Sequence, residues 1–540
     1  MAKRIPIPFH NHTKSSIPSL LSKHSKLSPS FIKQVQAASH VYPFRANNYV
    51  VDELIDWNNV PNDPIFKLTF PQPQMLFDSD MERVIKLMDE GDDTPASREA
   101  IRREAIQIRK DLNPHPAKQK EMNVPVVDGT RLGGAQHKYR ETLLFFPSEA
   151  QWCHSYCTYC FRWAQFTEVG SEQQFKSKDI EKLQKYIKNN KQLTDILFTG
   201  GDPAVMKTKI WQKYLEPIVD EKNAKDFEHL STIRIGTKSL TYWPYRYTHN
   251  DDADEFLTLL EKCTKAGKHV TIQAHFTHPQ ELSTPQVEDA IRRLRMTGAN
   301  IRSQAPIIKG INDDASIWEE MWKKQISLGI IPYYMFVERD TGPKHYFELP
   351  LIKAYQVFKE AVSRVSGVAR TVRGPSMSCE PGKVAVMGII NDMMILQFLQ
   401  ARDPEWMKNP FLAKYDPTAT WLDDLKPYDG SESFFYQKEL DEMINIGMSS
   451  GQMNDDIINK HFNQQQTLTD NKKVKLSSIP NGNALKMNGN SNHSNGHHIN
   501  GKNGINGHHH HQHINGKNKN NKQMKPDLFI THQQNQQKQI

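Results

Sequence analysis

Between residues 143 and 364 the chain alternates short apolar runs with longer amphipathic ones, and this alternation constrains its fold more than any other feature. Short apolar runs rich in β-branched and aromatic residues predict strands. The predicted strands are Leu143–Phe146, Ile196–Thr199, Ile233–Gly236, Val270–Ala274, Ile301–Ile308 and Ile330–Val337.

Helical patterns over 178–190, 254–266, 314–327 and 351–364 separate these strands. In a further helix Thr284 is a capping residue, Pro285 takes the first helical position and Gly298 follows the end. About six repeats of strand and helix predict an α/β fold, a partial (β/α)6 barrel of the TIM type rather than an open sheet. In such barrels the chemistry collects at the carboxyl ends of the strands.

The sequence on either side of the barrel, assigned to 136–400, has a different character. Residues 52–135 predict a mainly helical N-terminal extension, and 401–466 predict a polar C-terminal cover with Pro and Trp anchors. Residues 1–51 are basic, rich in serine and free of acids, which predicts a disordered or targeting segment. Residues 467–540 predict a disordered tail rich in Asn, His and Gly, whose run His508–His511 binds metal only incidentally.

Composition excludes several classes of protein. A mean hydropathy of −0.68 and the absence of a long apolar run exclude a membrane-spanning helix. The net charge of +8 is concentrated towards the ends, so we expect no nucleic-acid partner and no membrane partner. Five cysteines in 540 residues do not make a disulfide scaffold and indicate a reducing compartment. We expect a cytoplasmic location, with the mitochondrion as the alternative if residues 1–51 are a transit peptide.

Three of the five cysteines form a cluster just after the first predicted strand. Cys153, Cys157 and Cys160 can hold one face of a cubic iron–sulfur cluster and leave the fourth iron open. An open iron can bind an amine and a carboxylate, as S-adenosylmethionine provides. The alternative is a zinc site completed by His154 or a remote residue. The lack of a second pair of cysteines and the aromatic neighbours Tyr159 and Phe161 favour the cluster.

The chain resembles the lysine 2,3-aminomutase branch of the radical S-adenosylmethionine superfamily over about 53–400. The resemblance rests on nine segments in order, which are "DPIFKLTFPQP", "HKYRETLLF", "CHSYCTYCFRWAQF", "LFTGGDP", "IRIGTKS", "AHFTHPQE", "SQAPIIKGIND", "IPYYMF" and "GPSMSCEPGKVAVM". It implies an isomerase with a [4Fe–4S] cluster, S-adenosyl-L-methionine and pyridoxal 5′-phosphate, which moves the α-amino group of an amino acid to the β-carbon.

The resemblance also implies residues that hold the two organic cofactors. Gly200, Gly201 and Asp202, with His275 and Gln304, would bind S-adenosylmethionine at strand ends. Lys383 would be the catalytic lysine that carries pyridoxal phosphate, because a lysine in a partly apolar pocket loses basicity and can form a Schiff base. Lys138 and Arg140 would hold the phosphate group.

Three arginines define the expected substrate. By resemblance, Arg162 grips the substrate carboxylate through its bidentate fork. Relatives that act on lysine have two acids at the far end of the pocket, and the matching positions here are Arg339 and Arg373. Two arginines would repel an ammonium and attract a carboxylate, so we expect an acidic substrate such as glutamate rather than lysine. A shift of one residue would replace Arg339 by Asp340 and weaken this expectation.

Some expectations concern partners and alternatives. We expect a one-electron reductant of the flavodoxin or ferredoxin type and allow a homo-oligomer. Cys263 reads as a small buried hydrophobic residue, and no structural zinc is expected. The alternatives are a radical enzyme of the same fold that modifies a protein lysine or another substrate without pyridoxal phosphate, and a non-catalytic zinc-binding scaffold.

Overall fold

A computed structural model describes residues 7–113, 123–167 and 174–450, and places most strands of the chain in one sheet of eleven. Four short strands form two separate hairpins, β1 (Asn11–Thr13) with β2 (Arg45–Asn47) and β3 (Val126–Val127) with β4 (Thr130–Arg131). The large sheet contains β5 (Ala135–Tyr139), β6 (Thr142–Phe145), β7 (Asp195–Phe198), β8 (Thr232–Thr237), β9 (His269–His275), β10 (Asn300–Ile307), β11 (Ile331–Val337), β12 (Arg373–Ser378), β13 (Gly382–Ile390), β14 (Met393–Ala401) and β15 (Pro410–Lys414).

Helices precede, separate and follow these strands. They are α1 (Ile17–His24), α2 (Pro29–Val41), α3 (Pro64–Thr69), α4 (Asp78–Glu90), α5 (Pro95–Asp111), α6 (Ile180–Asn189), α7 (Thr208–Val219), α8 (Ser239–Tyr242), α9 (Ala253–Lys265), α10 (Pro285–Met296), α11 (Ala315–Ser327), α12 (Lys344–Phe347), α13 (Leu351–Ser363) and α14 (Gln437–Ser450). In the part of the chain that is described, none of them has the length and apolar character that crossing a membrane requires.

The strands of the large sheet follow one another in chain order. From β6 to β12 each strand pairs in parallel with the next one. At the two ends the pairing is antiparallel, β5 with β6 at one end and β12 to β15 at the other. Because the order never reverses, the carboxyl ends of seven parallel strands meet at one edge, where the chemistry was expected.

Side-chain alternation explains how the sheet is covered. On β7, Ile196 and Phe198 are buried under the helices, whereas Leu197 between them is half-buried on the opposite face. The helices bury matching apolar stripes, as α10 does with Val287 and Leu294. The opposite face of the sheet therefore borders a space that solvent and ligands can reach.

All six predicted strands exist, with bounds that differ by a residue or two. The predicted helix after Thr284 is confirmed in detail, since the Thr284 hydroxyl accepts a hydrogen bond from the Val287 N–H at 3.4 Å and Gly298 has a φ of +82°. The seventh parallel strand, β12, was missed. Its segment contains Gly374, Pro375 and two serines, a composition that reads as a loop until the neighbouring strand β11 pairs with it.

The prediction of disorder for 1–51 is wrong for residues 7–51. This segment contains α1 and α2, and Ile17, Leu21 and Val35 are completely buried. These apolar residues recur at helical spacing, and their burial outweighs the basic, serine-rich composition that suggested a disordered terminus. The targeting role stays a prediction. The predicted tail 467–540 lies outside the described residues, as does the run His508–His511.

Candidate active site

The three cysteines lie on a loop after β6 that the N-terminal residues hold in place. The backbone N–H of Tyr156 donates to Arg45 O at 2.9 Å, and that of Thr158 donates to Leu68 O at 2.9 Å. The Asn47 side-chain amide donates to His154 O at 3.1 Å. Three contacts from the N-terminal part therefore fix the path of the loop before any metal binds.

Cys153, Cys157 and Cys160 are free, half-buried thiols that affect one another's ionisation. Burial raises the pKa of each thiol, to about 12 for Cys160, and the neighbouring cysteine sulfurs raise the pKa values of Cys153 and Cys160 further. The three sulfurs would repel one another as thiolates, so positive charge among them favours their ionisation. This donor set suits a group of several iron ions.

His154, the residue that could complete a zinc site, is packed among aromatic rings. Its ring is stacked with Trp243 at 6.2 Å between centroids and lies edge-on to Phe9 at 5.6 Å. Burial lowers the pKa of His154 to about 3. Among the described residues, no three His, Cys, Asp or Glu side chains are grouped closely enough to hold a single metal ion. The packing of the His154 ring against Trp243 and Phe9 favours the predicted cluster over a zinc site that His154 completes.

The glycine turn after β7 lies directly against the cysteine loop. A Cβ atom on Gly201 would lie 2.7 Å from both Trp152 N and Trp152 O, and 2.9 Å from Ala150 O. The Gly201 N–H donates to Ala150 O at 2.9 Å, and the Asp202 N–H donates to Trp152 O at 2.9 Å. Glycine is required here because the main chains of turn and loop touch. A ligand on the turn would consequently lie beside the cluster.

Asp202 joins the ends of β7 and β8. Its carboxylate accepts hydrogen bonds from the Thr237 hydroxyl at 2.6 Å, from the Lys238 N–H at 2.9 Å and from the Ala204 N–H at 2.9 Å. Burial raises its pKa to about 6 against the opposing effect of these hydrogen bonds. The carboxylate is thus occupied by protein donors, so Asp202 shapes the predicted cofactor site rather than offering a free acceptor.

His275 ends β9 and faces Gln304, which lies within β10 rather than at its predicted position at the strand end. Gln304 Nε2 donates to His275 Nε2 at 2.5 Å, and Gln273 Nε2 donates to Gln304 Oε1 at 3.0 Å. Burial lowers the pKa of His275 to about 3, so its ring is neutral and accepts at Nε2. Gln273 Oε1 is buried without a partner. Gln273 Oε1 is therefore available to accept a hydrogen bond from a ligand.

Lys383 begins β13 among aromatic rings. Its Nζ lies 4.7 Å from the ring centroid of Tyr334, 5.8 Å from Tyr139 and 6.0 Å from Phe336, and it donates to Gln400 Oε1 at 3.0 Å. The pKa of Lys383 is lowered to about 7, first by burial and then by the charges of Arg234 and Arg373, while Asp195 opposes the shift. A substantial fraction of this amine is neutral at pH 7, which a lysine that attacks an aldehyde requires.

A second cationic group lies beside Lys383. Lys138 on β5 donates to Cys379 O, and burial followed by the charge of Arg402 lowers its pKa well below the usual range. Arg402, which sequence analysis did not single out, is buried and donates to Glu380 O at 2.9 Å. A half-buried lysine and a buried arginine suit the phosphate of a cofactor carried by Lys383.

Arg140 does not join this group. Its side chain is half exposed and pairs with the adjacent Glu141 at 3.3 Å. The expectation that Arg140 binds the phosphate together with Lys138 is therefore wrong. The physical reason is the tight turn from β5 into β6, which ends the strand at Tyr139 and directs Arg140 into solvent.

Arg162 and Arg339 lie against the same aromatic ring. The guanidinium carbon of Arg162 is 4.9 Å from the Phe161 centroid, and that of Arg339 is 5.3 Å away. Arg162 is only 9% exposed, and burial lowers its pKa to about 9. Arg162 Nη1 and Arg339 Nε are buried without hydrogen-bond partners. Two adjacent cations with unused donors form a site for an anion.

The structure also separates Arg339 from Asp340 and from Arg373. Asp340 is directed elsewhere, since its carboxylate accepts a hydrogen bond from the Asn113 amide at 3.3 Å. Arg373 stacks on Tyr333 at 4.6 Å and on Tyr334 at 4.5 Å, close to Lys383. Arg339 follows the end of β11, whereas Arg373 begins β12. The register pairs Arg373 with Tyr334 in the middle of β11, so Arg373 lies near Lys383, whereas Arg339 lies beyond the end of β11 beside Arg162.

Comparisons with known proteins give the family. No family model matches the chain. A protein of Aquifex aeolicus, named "Putative L-lysine 2,3-aminomutase", is 29% identical over 393 residues, which cover 73% of this chain and 90% of that protein. The L-lysine 2,3-aminomutase of Haemophilus influenzae is 30% identical over 248 residues, which cover 46% of this chain and 67% of that protein. The chain belongs to the lysine 2,3-aminomutase family of the radical S-adenosylmethionine superfamily.

Members of the family differ in substrate. The glutamate 2,3-aminomutase of Clostridioides difficile is 32% identical over 196 residues, which cover 36% of this chain and 42% of that protein. A solved structure described as native anSMEcpe with bound AdoMet matches at 13% identity and a TM-score of 0.29, over 41% of this chain and 59% of that one. Aminomutases are isomerases, and the chain is an enzyme of that class. The cofactors of the family are a [4Fe–4S] cluster, S-adenosyl-L-methionine and pyridoxal 5′-phosphate.

Proposed function

We propose that the chain is a pyridoxal-phosphate-dependent 2,3-aminomutase that acts on an acidic amino acid such as glutamate rather than on lysine. The observation that carries the proposal is the pair of guanidiniums against Phe161, each with a buried nitrogen that no protein group satisfies. A substrate with two carboxylates would satisfy both, whereas a side-chain ammonium would add a third positive charge.

Glu338, the acid next to Arg339 in the sequence, does not offset the positive charge of the two arginines. Glu338 precedes Arg339, and burial raises its pKa well above the usual range while the charge of Arg339 opposes the shift. A carboxyl group that ionises less readily offers less negative charge to an ammonium. The side chain of Asp340 contacts Asn113 instead. Arg162 would thus take the α-carboxylate and Arg339 the side-chain carboxylate of the substrate.

The residues around the proposed site also fit the cofactors. Cys153, Cys157 and Cys160 would hold the cluster; the glycine turn, His275 and Gln304 would hold S-adenosylmethionine; and Lys383, Lys138 and Arg402 would hold pyridoxal phosphate. When bound, the first two supply the means to remove a hydrogen atom and the third supplies a conjugated ring for the migrating nitrogen. We further propose that the seven parallel strands curve into a partial barrel around these groups, as their unreversed order favours.

The chain's own residues orient the reactants and exclude water. The rings of Tyr139, Tyr334 and Phe336 surround the Lys383 amine, and the Gln400 amide fixes its direction. The arginines at Phe161 anchor the substrate at a point set by β11 and the cysteine loop. Holding both ends of a small substrate limits the geometries in which the nitrogen can move.

We also propose an electron donor and a cellular location for the enzyme. A one-electron reductant of the flavodoxin or ferredoxin type would supply the electron that the cluster needs, in the cytoplasm. The mitochondrial alternative finds no support in the bacterial relatives. Whether the enzyme is a homo-oligomer stays a prediction.

Product analysis tests the substrate proposal directly. The reconstituted enzyme, with reductant and all three cofactors, is given equimolar L-glutamate and L-lysine without oxygen, and β-amino acids are identified by mass spectrometry. We expect the β-amino isomer of glutamate as the main product. Conversion of lysine alone would refute the acidic substrate. Turnover without pyridoxal phosphate would instead support a radical enzyme that works without this cofactor.

The variant Arg339→Gln tests the residue that carries the proposal. It removes the charge from the carboxylate site, so we expect glutamate turnover to fall at least tenfold at subsaturating substrate, about 1.4 kcal/mol of transition-state binding. Arg292→Gln on the exposed face of α10 is the matched control and should leave turnover unchanged. Equal rates for Arg339→Gln and the parent enzyme would contradict the assignment.

A further inference from the structure

Tyr242 makes a contact with the cysteine loop that the proposed reaction does not use. Its hydroxyl oxygen lies 3.8 Å from Cys157 Sγ, within hydrogen-bond distance for the large sulfur atom. Tyr242 is 1% exposed, at the end of α8. The Asn47 amide donates to the Tyr242 backbone carbonyl at 2.8 Å and so holds this position. A buried hydroxyl is thus fixed beside one of the three cluster ligands.

The direction of this hydrogen bond depends on the state of the sulfur. A free Cys157 thiol has a proton and donates it to the tyrosine oxygen. A sulfur bound to iron has lost its proton and can only accept. The Tyr242 hydroxyl must then turn its own proton towards the sulfur, because water does not reach a side chain that is this deeply buried.

A buried ion pair strengthens the hydroxyl as a donor. Lys238 Nζ lies 4.8 Å from the centroid of the Tyr242 ring, and an ammonium against the ring face withdraws electron density from the O–H bond. Glu281, which is fully buried, holds this ammonium at 2.7 Å. The Glu281 carboxylate is itself fixed by the backbone N–H of Thr277. The charge beside the ring is therefore part of the folded structure.

Cys157 also has a second hydroxyl nearby. Tyr159 Oη lies 2.9 Å from Thr277 Oγ1, which in turn accepts a hydrogen bond from Lys238 Nζ at 3.1 Å. The ion pair, the threonine and both tyrosines thus form one buried polar group on the Cys157 side of the loop. On the Cys153 side, burial raises the thiol pKa most, and the charge that raises it most is the carboxylate of Asp202.

We infer that the Tyr242 hydroxyl donates a hydrogen bond to the iron-bound sulfur of Cys157 and thereby raises the reduction potential of the cluster. Reduction adds negative charge to the iron and its sulfurs, and a donor aimed at a ligand sulfur stabilises the reduced form more than the oxidised one. Tyr242 is accordingly a positioning and tuning residue for electron entry. The inference rests on the presence of the cluster and not on the identity of the substrate.

The test is Tyr242→Phe in the full-length protein, which removes the hydroxyl and keeps the ring under Lys238. Iron and sulfide are measured first, and the midpoint potential is then determined by redox titration with electron paramagnetic resonance of the reduced cluster. We expect a more negative potential, with the equilibrium for reduction changed about tenfold, which is about 59 mV for one electron. An unchanged potential at full iron content would overturn the inference.

Two further proteins make the result specific. Tyr214→Phe removes a buried hydroxyl without a hydrogen-bond partner from a tyrosine that packs on Phe145 and Phe198, so its potential should equal that of the parent. The same shift in both variants would overturn the inference. If Tyr242→Phe does not bind iron, site-specific replacement of Tyr242 by 3-fluorotyrosine tests the inference instead. The hydroxyl of this residue is more acidic and a stronger donor, so the midpoint potential of the cluster should rise. No rise would overturn the inference, whereas failure of all proteins to bind iron would refute the cluster itself.

Discussion

The Lys383 amine has one neutral hydrogen-bond partner, the Gln400 amide. Its surroundings determine the pH at which the amine becomes neutral and can react. Arg234, Arg373 and Asp195 shift its pKa, Lys138 lies beside it, and the rings of Tyr139 and Tyr334 complete its surroundings. With a pKa of about 7, the neutral fraction of the amine grows as the pH rises from 6 to 8. Because the folded pKa is lower than that of the unfolded chain, this lysine also favours folding more at pH 10 than at pH 7.

The variant Gln400→Glu tests this account. A carboxylate in place of the amide favours the charged amine, so the pH at which pyridoxal phosphate is captured at half its maximal rate should rise by about one unit or more. Capture is followed by absorbance, and borohydride trapping locates the label on Lys383. The control Gln397→Glu changes the same strand at a side chain that donates to Lys408 O, and its midpoint should stay near that of the parent. A common midpoint for all three proteins would contradict the assignment.

At the scale of single elements, the glycine turn after β7 has no room for a side chain, whereas Gly133 before β5 has room for one. Gly201 meets backbone atoms of the cysteine loop that cannot move aside, whereas a Cβ on Gly133 would meet nothing within 4 Å. We expect Gly201→Ala to lower the free energy of unfolding by about 1–3 kcal/mol and to reduce bound iron.

Calorimetry and iron analysis measure the two effects, and Gly133→Ala should match the parent in both. A Gly201→Ala protein with full stability and full iron would show that turn and loop are not in contact.

Periodicity explains which elements could be predicted. Strands such as β7 and helices such as α10 have regular apolar spacing and capping residues, and both were predicted from the sequence. The spacing of the three cysteines likewise indicated the cluster. Arg402 was missed because nothing local distinguishes it, and only the fold brings it near Lys138 on a distant strand. Arg140 was misassigned because a turn, which motif spacing does not reveal, breaks the alternation of β5.

At the scale of the whole molecule, Asn47 connects three distant parts of the chain. Its amide donates to His154 O and Tyr242 O, it contacts Ser155 Oγ at 3.1 Å, and its own oxygen accepts from the Val50 N–H at 3.1 Å. The N-terminal segment is therefore a structural part of the site. We expect Asn47→Ala to leave buried carbonyls unsatisfied, to lower the free energy of unfolding by about 1–3 kcal/mol and to reduce iron loading.

Thermal unfolding and iron content check this prediction. The control Asn11→Ala removes an exposed asparagine of β1 and should behave like the parent. Full iron loading and parental stability in Asn47→Ala would contradict the role of the N-terminal segment.

The contacts of Asn47 also impose an order on the birth of the protein. Its partner at Tyr242 is 195 positions further along, so the ribosome must synthesise the first three parallel strands before this clamp can close. The contacts of the cysteine loop with Arg45 and Leu68 can form earlier, because both partners precede the loop in the chain. The last of the contacts that hold the cysteine loop therefore depends on residues that lie beyond β8 in the chain.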